Sequence, residues 1–180
     1  MDRCLPHVDL SRPVAWVSQS AQDTDPRHFL EDIEGLLGVA IDRMPAEAAG
    51  WEDAGLVLVT HLPEAASLLP VGVRFQSCLG RQGVVMGLGA PAAGFGEAVF
   101  PGSVGQPGPG LQWLPDAVIL PGTATTPDAA DLHEWLRGGA RRFALRLPPE
   151  SMLAFGPQGE VEVWGGPQPG LTLGPGWTHI

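Results

Sequence analysis

The polar chemistry available to this chain resides in two cysteines, five histidines, twenty carboxylates and ten basic residues. Open α/β sheets present ligands at the C-terminal ends of their strands. Placed on the strands expected below, those ends hold Ser18 and Ser20 after the first, Asp42 after the second and His61 after the third. Cys78 follows a fourth, and Thr123, Thr125 and Thr126 follow a later one. Hydroxyls, a carboxylate, an imidazole and a thiol on one rim would suit a small polar ligand. Strand ends are also loops, and loops are polar in any case, so ordinary solvated turns explain the same residues. No Cys/His spacing fits zinc, and no metal or other cofactor is expected. His28, Glu31 and Asp32 share a helical face that reads as a solvated acidic surface.

Cys78 has the sharpest local setting, Gln76-Ser77-Cys78-Leu79-Gly80-Arg81-Gln82. This run resembles the nucleophile turn of class I glutamine amidotransferases, in which Cys-Leu-Gly-x-Gln follows a strand and opens a helix. The resemblance implies Cys78 as nucleophile, Gly80 as part of the turn and Gln82 on the substrate side. The helix N-terminus would favour the thiolate, and backbone N–H groups would hold the tetrahedral oxyanion. A base would come from His61 or His179. Gln76 stands where the family has a small residue, and His133-Glu134 lacks the spacer of its His-x-Glu pair. A second stretch, 116–137, resembles the strand–Pro-Gly–helix segment of related amidotransferase domains, but it follows Cys78 instead of preceding it.

Composition excludes more than it suggests. All ten basic residues are arginine, and Lys, Asn and Tyr are absent, as a GC-rich bacterial genome would produce. Without lysine the chain has no P-loop amine and no Schiff base. The net charge is −10, with eleven acids against four arginines in residues 1–60. Such an acidic surface repels nucleic acid and anionic membranes. The one basic cluster is Arg137, Arg141, Arg142 and Arg146. With no apolar run of membrane-spanning length and no leader-like start, the expectation is a soluble cytoplasmic protein with its cysteines as thiols.

The elements that would position these groups follow from periodicity. Residues 14–18 (VAWVS), 39–43 (VAIDR) and 56–60 (LVLVT) read as strands, with 73–76 as a fourth. Between the first two, Asp25-Pro26 starts a helix whose stripe is Phe29, Leu30, Ile33, Leu36 and Leu37, ended by Gly38. Residues 62–69 suggest a short helix stopped by Pro70. Residues 80–110 are rich in Gly, Pro and Ala and read as loop, with a subdomain junction near 101–110. Residues 117–120 (AVIL) form a strand, and Thr126-Pro127 opens a helix carrying Ala129, Leu132, Trp135 and Leu136. Residues 143–147 (FALRL) form the next strand, 152–155 and 160–164 an antiparallel hairpin, and 171–173 an edge strand. Trp164 and Trp177 read as partly exposed.

The expected architecture is α/β: one domain over residues 1–180 with a mainly parallel three-layer sheet of flavodoxin or Rossmann type and a C-terminal antiparallel hairpin, with a bilobal arrangement split near residue 100 as the alternative. Two functions remain open. One is a non-catalytic accessory or regulatory domain that binds a protein partner or a small polar ligand. The other is a Cys78-dependent glutamine amidotransferase-like hydrolase.

Overall fold

The computed structural model describes residues 5–18, 27–45, 48–60, 68–100, 106–122, 128–155 and 160–177. The chain divides into two compact units, residues 1–63 with 67–91, and residues 64–66 with 92–180. The division falls ahead of the Gly/Pro stretch at 101–110.

The first unit holds four parallel strands: β1 (Val14–Ser18), β2 (Ile41–Pro45), β3 (Leu56–Val59) and β4 (Val84–Gly87), in the order β2-β1-β3-β4. β1 and β3 take the middle, where side chains are covered on both faces. Their unbroken apolar runs suit that position, and Val14–Val17 and all of β3 are buried. Helix α1 (Arg27–Leu37) links β1 to β2, and α2 (Leu68–Gly80) links β3 to β4. In α1, Leu30, Ile33 and Leu37 are buried, whereas Leu36 is 47% exposed. At 100° per residue Leu36 projects about 90° from the centre of that stripe, so the core-facing strip is narrower than expected. α1 ends where Gly38, at φ +70°, donates its N–H to the Glu34 carbonyl.

Residues 73–76 are helical instead of forming a strand, because they lie inside α2. Val71, Phe75 and Cys78, spaced four and three apart, are buried, while Val73 is 65% exposed. That is helical periodicity, which the short window hid. Pro70 is the third residue of α2, a first-turn position where its missing N–H breaks no bond. The fourth strand comes later, as β4.

The second unit has a five-stranded mixed sheet in the order β11-β8-β7-β5-β6. Its strands are β5 (Gly96–Val99), β6 (Gly108–Pro109), β7 (Leu114–Pro121), β8 (Phe143–Leu147) and β11 (Gly170–Leu173). β7 runs parallel to β5 and β8, and the edge strands β6 and β11 are antiparallel to their neighbours. Helix α3 (Ala129–Arg137) connects β7 to β8. Its cap is Asp128, whose carboxylate accepts the Ala130 N–H at 2.8 Å, two residues beyond the expected Thr126. Trp135 and Leu136 of α3 pack with Ala98, Val118, Leu120 and Ala144. Arg142 lies over the Trp135 ring at 4.5 Å, donates to the Trp135 carbonyl at 3.0 Å and pairs with Glu97 at 3.3 Å. The hairpin is β9 (Ser151–Phe155) with β10 (Val161–Gly165), antiparallel and separate from the sheet. The α/β class, the parallel strands and this hairpin match the sequence reading. Beside the hairpin the strands form two sheets, four-stranded and five-stranded, where the sequence reading expected one sheet with a bilobal arrangement as its alternative.

Candidate functional site

The proposed rim does not assemble on one sheet. Ser18 ends β1, and His61 would follow β3 and Thr60, but Ser20, His61 and His179 lie outside the described residues, as does the side chain of Ser18. Asp42 is the second residue of β2, paired with Ala15, while Ser18 pairs with Pro45. It therefore sits three registers from the rim and is exposed. The expected strand began two residues early, which pushed Asp42 to the wrong end. Thr123, Thr125 and Thr126 follow β7 of the other sheet and are likewise outside the described residues.

Cys78 sits in the last turn of α2, ten residues beyond the helix start. No strand-to-helix turn forms there, and a helix C-terminus disfavours the thiolate that an N-terminus would stabilise. The side chain is fully buried, with Sγ 3.6 Å from the Ala54 carbonyl it can donate to. Burial pushes the thiol pKa above its ordinary 9.0, with Arg12 opposing and Glu52 adding to the rise. Gly83 packs on it: a Cβ there would strike Sγ and stand 2.7 Å from the Ala54 carbonyl oxygen. Gly80 is the last residue of α2, with open space around it. Gln82 has φ +62°. The Gly83 N–H donates to the Cys78 carbonyl and the Gln82 N–H to the Leu79 carbonyl, which together make a Schellman helix stop with Gln82 in the left-handed position. The motif Cys-Leu-Gly-Arg-Gln thus ends a helix, where the resemblance implied that it opens one.

Polar contacts around this helix stop serve packing. The Arg12 guanidinium donates to the carbonyls of Asp53 at 2.9 Å, Arg81 at 2.6 Å and Ala54 at 2.8 Å. It thereby ties the end of α2 to the 3-10 turn Trp51–Asp53. Arg74 donates to Glu52 at 2.6 Å and to the Ala48 carbonyl, and lies 4.6 Å over the Trp51 ring. Hydrogen bonding from Arg74 holds the Glu52 carboxyl down at a pKa of about 2, against the opposing effect of burial. Among the described residues no cluster of three or more His, Cys, Asp or Glu could hold a metal, and no helix is long and apolar enough to cross a membrane.

An apolar surface feature lies among the described residues of the second unit, away from the residues singled out for chemistry. Strand alternation puts Val118, Leu120 and Ala144 on the face that meets α3. The opposite face carries Ile119, Phe143, Leu145, Leu171 and Leu173. On that side a groove of about 600 Å³ runs between the sheet and the hairpin, lined chiefly by Leu114, Phe143, Leu145, Leu153, Val161 and Val163. Of the large apolar side chains exposed among the described residues, Phe155, Val161, Val163, Leu171 and Leu173 all belong to β9, β10 or β11. Such concentration sets these side chains apart from singly exposed leucines, which are ordinary on any surface. The sequence signal was the alternation in Val161-Glu162-Val163 and Leu171-Thr172-Leu173, which gives two strands an apolar side without enough partners to cover it. No protein-family model matches the chain, and no curated protein matches its sequence.

Proposed function

We infer that this chain is a non-catalytic protein-interaction module, an accessory or regulatory subunit whose contact surface is the open apolar face of its second unit. The groove beside the hairpin carries the reading. It is lined by six large apolar side chains from four strands, on the sheet face opposite the one that packs with α3. Its occupant is an apolar segment of a partner protein, because burying Val161 and Val163, now 49% and 44% exposed, supplies the driving force. The buried thiol at a helix C-terminus gives no support to acyl-transfer chemistry. A photo-crosslinking side chain in place of Leu153 is expected to give a discrete adduct with another protein in the producing cell. The same group in place of Ala130, exposed on α3, serves as control. Matching adduct patterns at the two positions would refute the assignment.

A specific observation favours a second reading, a small anionic ligand on the first unit. The order β2-β1-β3-β4 reverses between β1 and β3, the point where open sheets bind ligands. Near it the Trp16 indole donates to Thr60 Oγ1 at 2.6 Å, and Arg43 lies 5.7 Å over the Trp16 ring. A ligand-induced rise in melting temperature that Arg43→Ala removes would support it. Flat melting curves across a phosphate and carboxylate panel would end it.

A further inference from the structure

We propose that the free edges of β10 and β11 pair with each other between two copies of this chain, making a two-fold dimer in which β10 of each copy extends the five-stranded sheet of the other. The proposal rests on reading this face as a contact surface, and it goes further by naming a second copy as the occupant of the edge strands. Both strands end their sheets, so each presents one row of outward backbone N–H and C=O groups. β11 (Gly-Leu-Thr-Leu) carries none of the usual protection, having no charge, no proline and no bulge, and β10 has the single charge Glu162. Its side chains are open, with Leu171 58% and Leu173 49% exposed.

The two strands complement each other in antiparallel register. Setting Leu171 against Val163 of the second copy sets Leu173 against Val161, and all four fall on one face. On the other face Thr172 meets Glu162 and Gly170 meets Trp164. Charge complementarity decides for a second copy. Gly170 pairs with Arg146 on β8, and having no side chain it leaves the Arg146 stem open toward the sheet edge. Arg137 stands beside Thr172 in a small hollow at the end of α3. Among the described residues no carboxylate is paired with Arg137 or Arg146. Residues 147–177 contain Glu150, Glu160 and Glu162 and no Arg. The incoming β10 therefore brings Glu162 to Arg146 and Arg137, and its Trp164 ring over the gap at Gly170, within reach of cation–π contact with Arg146. A two-fold axis repeats each contact, which doubles the buried surface.

Sedimentation and light scattering of the purified full chain, from roughly ten to several hundred micromolar, test this. The expected mass is twice the chain's 18.9 kDa. Glu162→Arg and Arg146→Glu each shift the chain to monomer, and the double variant regains the dimer. Both positions are exposed, and circular dichroism confirms that each variant is folded. A wild-type chain that stays monomeric overturns the proposal, as does a dimer indifferent to both single changes or a double variant that fails to recover. A monomer whose position 153 still crosslinks to another protein sinks self-pairing alone. A dimer whose position 153 crosslinks only to itself sinks the separate-partner reading.

Discussion

Replacing Gly83 by alanine puts the account of Cys78 to a quantitative trial. A Cβ at that position would strike Cys78 Sγ and stand 2.7 Å from the Ala54 carbonyl oxygen and 3.0 Å from the Cys78 carbonyl oxygen. All three fall at or inside the closest approach that real side chains tolerate, and two of the atoms are backbone, held by α2 and by the end of the 3-10 turn Trp51–Asp53. Overpacking of this kind costs about 2–4 kcal/mol. For a chain of this size that lowers the melting temperature by roughly 5–15 °C. Removing the sulfur with Cys78→Ala relieves one contact only, so the double variant should recover part of the loss and remain less stable than Cys78→Ala alone. In a Cys4→Ser background the same region can be read chemically. The native thiol, fully buried, should react with iodoacetamide at least about a thousandfold more slowly than in denaturant, which corresponds to an opening cost near 4 kcal/mol. Gly83→Ala should speed that labelling by about 30-fold or more, the factor to which a loss of about 2 kcal/mol corresponds. Native labelling close to the denatured rate, or a Gly83→Ala protein that melts with the wild type, would refute the packing argument and return Cys78 to candidacy as a nucleophile.

Gln82→Gly should raise stability by about 0.5–1 kcal/mol, measured by urea unfolding, because glycine adopts the left-handed helix stop without strain. Arg12→Ala should cost about 2–3 kcal/mol, and Arg12→Lys should recover little, because one ammonium cannot reach carbonyls of residues 53, 54 and 81 as the fork does. The Glu52 carboxyl is held at about 2 in the fold, below its ordinary 4.5. Its stabilising contribution is therefore complete above pH 4.5 and is lost as pH falls toward 2; Glu52→Gln should flatten that acid limb in pH-dependent melting. The Cys78 thiol shifts the other way, so its contribution is present below pH 9 and fades as pH rises beyond it. Cys78→Ala should remove that alkaline loss.

What could be read from the chain itself followed the strength of local patterning. Long or strongly periodic pieces came through: β1, β3, β8, α3, the hairpin and β11 all lie within a few residues of the sequence reading. The failures have physical causes. Residues 73–76 alternate like a strand over four positions, and only a window reaching from Leu68 to Cys78 exposes the helical spacing. β5 and β6 went unseen because their glycines mimic loop composition, although those glycines are there for close backbone passage. A Cβ at Gly96 would stand 2.7 Å from the Ala117 carbonyl oxygen, and one at Gly110, just past the end of β6, would strike the Gly96 carbonyl. The candidate site was misread for a related reason. A seven-residue motif carries no information about which end of a helix it occupies, and Cys78 occupies the C-terminal end. The apolar groove was legible only in part: alternation at 161–163 and 171–173 gives two strands an apolar side, but what fails to cover that side is a property of the assembled fold and not of any one segment.

The position of β11 at the margin of its sheet bears on how the chain is made. Every strand of the first unit is complete by Gly87, and its sheet can close while later residues are still being synthesised. The second sheet has no such order: β8 is finished at Leu147, yet the strand that shields its outer side arrives only at Gly170. For those twenty-odd residues of synthesis Phe143 and Leu145 stand beside an open row of peptide groups. A pause in translation within that interval is the moment when the nascent protein is most exposed to aggregation.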